Sequence, residues 1–315
     1  MSRVDEVYPQ GRIVLREVGL RDGLQLVKSF PSTDAKQRWI RDEYAAGVRH
    51  FEVGSFLPAT TFPQFADVRD IIRSVAALSG AHGIALVLNE RGVNEALESG
   101  VPEIASVVSA TEEHSQANAR RSRESAIGNI RRLCELRDAS AHKPIVHAAI
   151  SMALGCSIAG AVDPNDVIRL VEKCFEAGVD GVGIADTVGY AGPRQVGELT
   201  AAAVKLAGPK PICVHLHDTR GMGIANASAA LDAGARILDG SLGGLGGCPF
   251  APGATGNVVF EDLVFLCESK GFVTGIDVEK LIAVRAILRS EMPDEPLYGG
   301  LARAGLPGGT SKRAA

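Results

Sequence analysis

Several things are missing from the sequence, and each absence narrows the field. No run approaches the roughly 18 apolar residues of a membrane span, so nothing reads as a membrane helix. The first residues, Met-Ser-Arg-Val-Asp-Glu, are too polar for a secretory signal. There is no excess of positive charge: the formal net charge is -4 and the pI is near 6.0. That argues against nucleic acid or an anionic membrane as partner. The six cysteines (Cys134, Cys156, Cys174, Cys213, Cys248 and Cys267) include no close pair, which fits a reducing compartment better than a disulfide framework. A cytoplasmic protein is the expectation.

The chain has 315 residues, 46% of them hydrophobic, enough for one large α/β barrel or two ordinary domains. Its strangest stretch is Gly240-Ser241-Leu242-Gly243-Gly244-Leu245-Gly246-Gly247-Cys248-Pro249-Phe250, where five glycines precede one cysteine. Glycine loses the most freedom on folding. Such a segment makes sense where backbone approaches a ligand or where a lid moves. The expectation is a mobile flap that delivers the Cys248 thiol to a site built elsewhere.

Along the chain, apolar β-branched runs alternate with helical patterns. Strands are predicted at 13–15, 48–53, 84–88, 104–108, 145–150, 181–184, 212–215 and 236–238. Helices are predicted between them, including a long one over 119–139. Three helix stops run straight into strands: Ala-Ala-Gly-Val at 45–48, Glu-Ala-Gly-Val at 176–179 and Asp-Ala-Gly-Ala at 232–235. Eight such units without a composition break predict a (β/α)8 TIM barrel with additional C-terminal helices, at 261–269 and 278–290. A doubly wound open sheet is the alternative. The barrel and its helices span 10–290, and 291–315 reads as a poorly ordered tail.

In such a barrel functional groups come from the C-terminal ends of the strands. After strand 1 comes Arg21-Asp22-Gly23-Leu24-Gln25, either a surface ion pair or part of a site. After strand 7 comes His215-Leu216-His217-Asp218. Residues i and i+2 of a strand face the same side, so both imidazoles can hold one divalent metal. The alternative is a hydrogen-bonded structural pair. Beyond the glycine stretch, Asn257 offers a hard oxygen donor. Asp22, His215, His217 and Asn257 would supply two oxygen and two nitrogen ligands, a mix that suits Mg²⁺ or Mn²⁺, with Zn²⁺ as the alternative. Glu52 and Asp186 are further acids at the same rim, and Glu17 lies within strand 1. Cys134, Cys174, Cys213 and Cys267 sit in apolar patterns and read as small core residues. Cys156 is either packed or functional. His50, His82, His114, His142 and His147 read as surface or packed histidines.

Glu17-Val18-Gly19-Leu20-Arg21-Asp22-Gly23-Leu24-Gln25, His215-Leu216-His217-Asp218-Thr219 and Gly243 through Asn257 resemble the hydroxymethylglutaryl-CoA lyase family, in order over about 12–290. Glu52, Ser55-Phe56 and Asp186-Thr187 also match. The Arg-Asp-Gly-x-Gln and His-x-His elements are shared with isopropylmalate synthase, homocitrate synthase and ketovalerate-type aldolases. The glycine loop ending in Cys-Pro is more specific to the lyases. The resemblance implies cleavage of a 3-hydroxy-3-methylglutaryl thioester to acetoacetate and acetyl-CoA. It implies that Asp22, His215, His217 and Asn257 hold the metal, that His215 or an acid is the base, and that Arg21 stabilises the thioester oxygen. Cys248 would protonate the leaving carbon. Glu17, Glu52 and Asp186 would orient Arg21 and the metal-bound groups, and Arg21, Gln25 and Glu17 would meet the substrate. An acyl-CoA as small-molecule partner and a homo-oligomer, dimer or higher, are expected.

The chain also departs from the lyases. Leu26-Val27 follows Gly-Leu-Gln, where they carry Asn-Glu, and Ser55-Phe56-Leu57-Pro58-Ala59-Thr60 and the 109–118 segment lack their lysines. The substrate is therefore either hydroxymethylglutaryl-CoA or a related 3-hydroxyacyl-CoA such as citramalyl-CoA. A condensing acyl-CoA/2-oxo acid synthase and a non-catalytic acyl-CoA or metal binder are the rival readings.

Overall fold

The computed structural model describes residues 3–247 and 256–307. Eight parallel strands close into a barrel in sequence order: β1 (Val14–Glu17), β2 (His50–Ser55), β3 (His82–Leu86), β4 (Glu103–Ser109), β5 (Ile145–Ser151), β6 (Gly181–Asp186), β7 (Ile212–Leu216) and β8 (Ile237–Gly240). β8 pairs with β1 from Val14↔Ile237 to Glu17↔Gly240, which closes the ring. Helices cross between the strands on the outside, because a parallel pair needs a long connection and the helix covers the sheet's outer face. The helix Thr33–Ala46 begins on Ser32, whose hydroxyl accepts from Ala35 N. It lays Trp39 and Ile40, both fully buried, on the sheet. The helix Pro164–Glu176 opens on Asp163 with Pro at its first turn.

Six strands run one or two residues longer than the hydrophobic runs, while β2 and β3 keep the expected length but are shifted by two residues, β2 forward and β3 back. β8 extends through Asp239 and Gly240 rather than ending at 238. The long helix expected over 119–139 begins at Arg123 and runs to Ala139. A separate helix not expected from the sequence, Glu112–Ala119, precedes it, parted from it by Arg120 in the left-handed region (φ 52°). A short helix, Arg3–Val7, was not expected. It leads into Tyr8, which packs with Val14, Ile145, Cys213 and Ile237 and plugs the bottom of the barrel.

The added C-terminal helices are Phe260–Ser269 and Val278–Glu291. The stretch after them is more ordered than expected as far as the described residues go. Tyr298 N donates to Gly243 O, Asp262 accepts from Gly300 N and Leu301 N, and Leu301 is buried. Residues 308–315 lie outside the described chain. Among the described residues no helix is long and apolar enough to cross a membrane.

Candidate active site

Inside the barrel, alternate residues of each strand point inward. They line a cavity of about 170 Å³ that opens at the C-terminal ends of the strands. A second cavity, of about 180 Å³, sits outside the barrel beside Phe56, Arg69 and Arg91. The one group of metal-ligating side chains among the described residues is in the first.

β1 ends in a wide helical turn, Gly19–Gly23, that presents Arg21 and Asp22 to the cavity. Arg21 Nη1 donates to Asp22 Oδ2 (2.8 Å) and Gln25 Oε1 (3.2 Å), and its Nε lies 2.8 Å from Glu52 Oε1. The β2–β3 ladder slips by one residue between Glu52 and Gly54, where Glu52 reaches the cavity. Burial raises the Glu52 pKa against the pull of Arg21, and its Oε2 is buried without a partner.

β7 carries His215, and His217 follows directly after its last residue. Their Nε2 atoms face one another at 3.2 Å, and Asp22 Oδ1 is 3.8 Å from His217 Nε2. His217 and Asn257 pair as a short antiparallel bridge, so the chain returning from the glycine stretch sets Asn257 beside the histidines. Asn257 Nδ2 donates to Asp22 Oδ1 (2.7 Å) and Leu245 O (2.9 Å). Its Oδ1 is buried with no partner. Burial alone would raise the Asp22 pKa, but Arg21, His215 and His217 outweigh it and hold it at about 2. Burial pushes His217 down to about 4.

These residues fit a divalent cation. Two imidazole nitrogens that face each other need a proton or a cation between them. One ligand atom from each of Asp22, His215 and His217 lies within 4.8 Å of the others, and the orphaned Asn257 oxygen supplies the fourth donor. The neighbouring cations favour the ionised Asp22 carboxylate and burial favours the neutral His217, as ligation requires, while His215 is shifted toward its protonated form until a cation replaces the proton.

Asp239, one residue beyond the predicted end of strand 8, is central to the site. Its Oδ2 is 3.0 Å from His215 Nδ1. Arg16 clamps it in turn, with Nε to Oδ1 at 2.6 Å and Nη2 to Oδ2 at 2.9 Å. This fixes which His215 nitrogen faces the cavity, as an outer carboxylate does for a metal-binding histidine. Burial opposes charge on Asp239, but Arg16 and His215 drive its pKa far below the usual carboxylate range. Burial would lower His215, but the bond to Asp239 and the charge of Asp22 raise it. The barrel rule applied to Asp239-Gly240 would have found this acid.

Two acids expected to meet the reacting groups point elsewhere. Glu17 is fully buried and its Oε1 accepts from Gly19 N and Leu242 N, so it ties the β1 turn to the glycine stretch. It does not line the cavity. Asp186 is also fully buried and turns back on its own loop, accepting from Tyr190 N and Ala191 N. Its backbone oxygen accepts from His217 N, which gives it a positioning role. Gln25 does line the cavity.

His147 and His114, read as ordinary histidines, both line the cavity. Glycines on β6 make room for the His147 ring: a Cβ at Gly181 would lie 2.9 Å from its Nδ1, and one at Gly183 3.0 Å from its Nε2. Burial holds the His147 pKa down at about 4. His114 Nδ1 meets Ser109 Oγ at 2.7 Å. Cys156 is a loop residue, its Sγ within reach of Thr111 Oγ1, Ile158 N and Ala159 N.

The glycine stretch differs from the expected flap as far as Gly247. Leu242 through Leu245 are buried, and Gly243 N donates to Glu261, which Arg285 also holds. At Gly246 (φ +107°) a Cβ would lie 2.5 Å from Asn257 Nδ2, and at Gly256 (φ +103°) one would lie 2.3 Å from Gly244 O. These glycines serve close packing behind the candidate cation ligands, and no L side chain fits their conformation without strain. Cys248, the expected proton donor, lies outside the described residues. Gly247 before it lines the cavity.

Fold and side chains together define a (β/α)8 barrel with a candidate cation site at the C-terminal mouth. The sequence pattern of the HMGL-like family matches residues 12–288. The hydroxymethylglutaryl-CoA lyase YngG of Bacillus subtilis is 34% identical over 285 residues, covering 90% of this chain and 94% of that protein. The crystal structure of hydroxymethylglutaryl-CoA lyase from Pseudomonas aeruginosa superposes with a TM-score of 0.88 at 33% identity, over 94% of this chain and 97% of the other. An HMG-CoA lyase from Acinetobacter baumannii, solved with coenzyme A and 3-methylmalate, superposes with a TM-score of 0.87 at 31% identity over 100% of both chains. This chain belongs to the HMGL-like family.

Proposed function

We propose that the chain is a divalent-metal-dependent carbon–carbon lyase, cleaving a 3-hydroxy-3-methylglutaryl-CoA-type thioester to acetyl-CoA and a 3-oxo acid. For hydroxymethylglutaryl-CoA the oxo acid is acetoacetate. One observation carries the reading: Asp22, His215 and His217 converge with the orphaned Asn257 oxygen, beside Arg21, in the cavity of a lyase-family barrel. Mg²⁺ or Mn²⁺ suits these donors, with Zn²⁺ as the alternative. The catalytic unit is residues 10–290, working as a cytoplasmic homo-oligomer.

When bound, the cation polarises the tertiary hydroxyl and makes its proton easier to remove. Glu52 Oε2, buried and without a partner, accepts that proton. The bond between the carbinol carbon and the carbon next to the thioester breaks. Its electron pair passes to the thioester, while the carbinol becomes a ketone. Arg21, held by Asp22, Gln25 and Glu52, faces the negative charge that develops on the thioester oxygen. The enolate carbon takes a proton from the Cys248 thiol, and Glu52 returns its proton to the thiolate. One proton leaves oxygen, one arrives on carbon, and nothing is oxidised or reduced. Asp239 keeps His215 oriented throughout.

The test is incubation of the full chain with hydroxymethylglutaryl-CoA and Mg²⁺ or Mn²⁺, with acetoacetate and acetyl-CoA separated and quantified. Equal amounts of the two products support the reading. Absence of cleavage, together with release of free CoA from acetyl-CoA and a 2-oxo acid, would replace it with a condensing synthase.

A further inference from the structure

The cavity has two unlike halves, and only one is explained by the chemistry above. The inward positions of β1, β2, β7 and β8 bear Arg16, Glu52, His215 and Asp239. On β3 and the residue after its loop begins, the inward positions are Ile84, Leu86 and Leu88, and on β4 they are Ala105 and Val107. These five side chains pack with each other as an apolar cluster separate from the main core. β5 and β6 add Ala149 and Gly183 at the level of Val107, with Ala185 and the polar Ser151 two residues further along. His147, at the lower edge, is held neutral by burial. No described cavity-lining residue of β3, β4 or β6 carries a charge. Leu88, Val107 and Ala149 keep partly exposed surface toward the cavity.

The reacting carbon of a tertiary alcohol has four substituents. Its hydroxyl, its thioester arm and its carboxylate arm all seek the polar half, where Arg21 and the candidate cation ligands stand. The fourth substituent then faces β3 and β4. Ile84, Leu86 and Ala105 are already buried, so the open part of the wall is Leu88, Val107 and Ala149. A single methyl covers only part of these three, and apolar surface left uncovered forgoes both hydrophobic and dispersion gain.

We propose that this wall receives an aliphatic substituent longer than methyl on the carbinol carbon, so that the preferred substrates are 3-hydroxy-3-alkylglutaryl thioesters with a short chain. The inference rests on the lyase reading and adds the acyl class to it. The bond broken is unchanged. The products are acetyl-CoA and a 3-oxo acid that carries the alkyl chain on its ketone. Specificity is set by the small residues Ala105, Ala149 and Gly183, which leave room for the chain, and by Leu86 and Val107, which flank it.

The experiment compares kcat/KM of the full chain, with Mn²⁺, for the 3-methyl and 3-propyl thioesters. Two more buried methylenes predict a preference for propyl on the order of tenfold. Ala149→Leu narrows the wall and is expected to bring the propyl-to-methyl ratio down to about one. Val107→Phe reads the same ratio if the first variant does not fold. Cleavage of the methyl compound at an equal or higher kcat/KM than propyl would overturn this inference and leave the lyase reading standing. A ratio unchanged in both variants would overturn it as well. Cleavage of neither thioester would remove the lyase reading and this inference with it.

Discussion

The two halves of the barrel interior were built to different rules. From β7 through β8 to β2, the groups lining the cavity are charged or candidate cation ligands apart from Gln25 and Gly247. They hold one another: Arg21 is held by Asp22 and Glu52, His215 by Asp239, Asp239 by Arg16. From β3 to β6 the lining is mainly Ile84, Leu86, Ala105, Val107, Ala149, Gly183 and Ala185, with His147 and Ser151 of β5 as its polar members. The same closed sheet holds both halves, so the difference lies in side chains alone. In the proposed lyase, the polar half would fix which bond breaks and the apolar half what hangs from it.

That division can be tested from both sides. The largest effect belongs to Arg21. Arg21→Met is expected to lower kcat on hydroxymethylglutaryl-CoA about 10²–10³-fold, as loss of a group facing developing negative charge does, read by steady-state assay beside an unchanged melting temperature. Asp239→Asn comes next. It loosens the outer support of His215 and is expected to weaken Mn²⁺ binding about 10–100-fold by calorimetric titration. An unchanged affinity would show that His215 is oriented by something other than Asp239. On the apolar side, Ile84→Val removes one methylene from a buried position. It should cost about 0.5–1.5 kcal/mol of stability in urea unfolding and leave Mn²⁺ affinity as it was.

The smallest effect is a pH slope. Burial holds His147 down at about 4 and His50 at about 3, against about 6.5 for an unperturbed histidine. The unfolded chain therefore binds protons below pH 6.5 that the folded chain refuses until near pH 4. Stability contributed by these neutral histidines is complete above pH 6.5 and declines as the pH falls from there toward 4. His147→Gln should flatten the fall of urea midpoints between pH 7 and 5. An unchanged slope would mean that the folded protein already protonates His147 in that range.

The barrel was legible in the sequence because its signals are local: an Ala-Gly helix stop next to an apolar run recurs along the chain. Arg21, Asp22, His215 and His217 could be picked out as candidates for the same reason, since they sit in short motifs at the ends of β1 and β7. Asn257, well beyond the end of β8 at Gly240, is brought to them by its bridge to His217. What stayed hidden depends on residues far apart in sequence. Arg16 reaches Asp239 across the closure of the barrel, 223 residues away, and a β8 read as ending at 238 left Asp239 out. Glu17 and Asp186 looked like site acids because they sit at strand ends. Glu17 Oε1 is taken by the backbone N–H groups of Gly19 and Leu242, with Oε2 buried and unpartnered away from the cavity, and the Asp186 carboxylate is taken by those of Tyr190 and Ala191. Local spacing does not show that. His147 was passed over because the space for its ring comes from two glycines of the next strand.

The account stands most directly on one titration. Protein stripped with EDTA is supplied with hydroxymethylglutaryl-CoA and increasing Mn²⁺, and acetoacetate is measured. The expected result is no product without the cation and a rise that saturates at one Mn²⁺ per chain, lost in Asp22→Ala. Cleavage that proceeds equally in EDTA, or that survives Asp22→Ala at saturating Mn²⁺, would contradict the assignment of the polar half as the cation site.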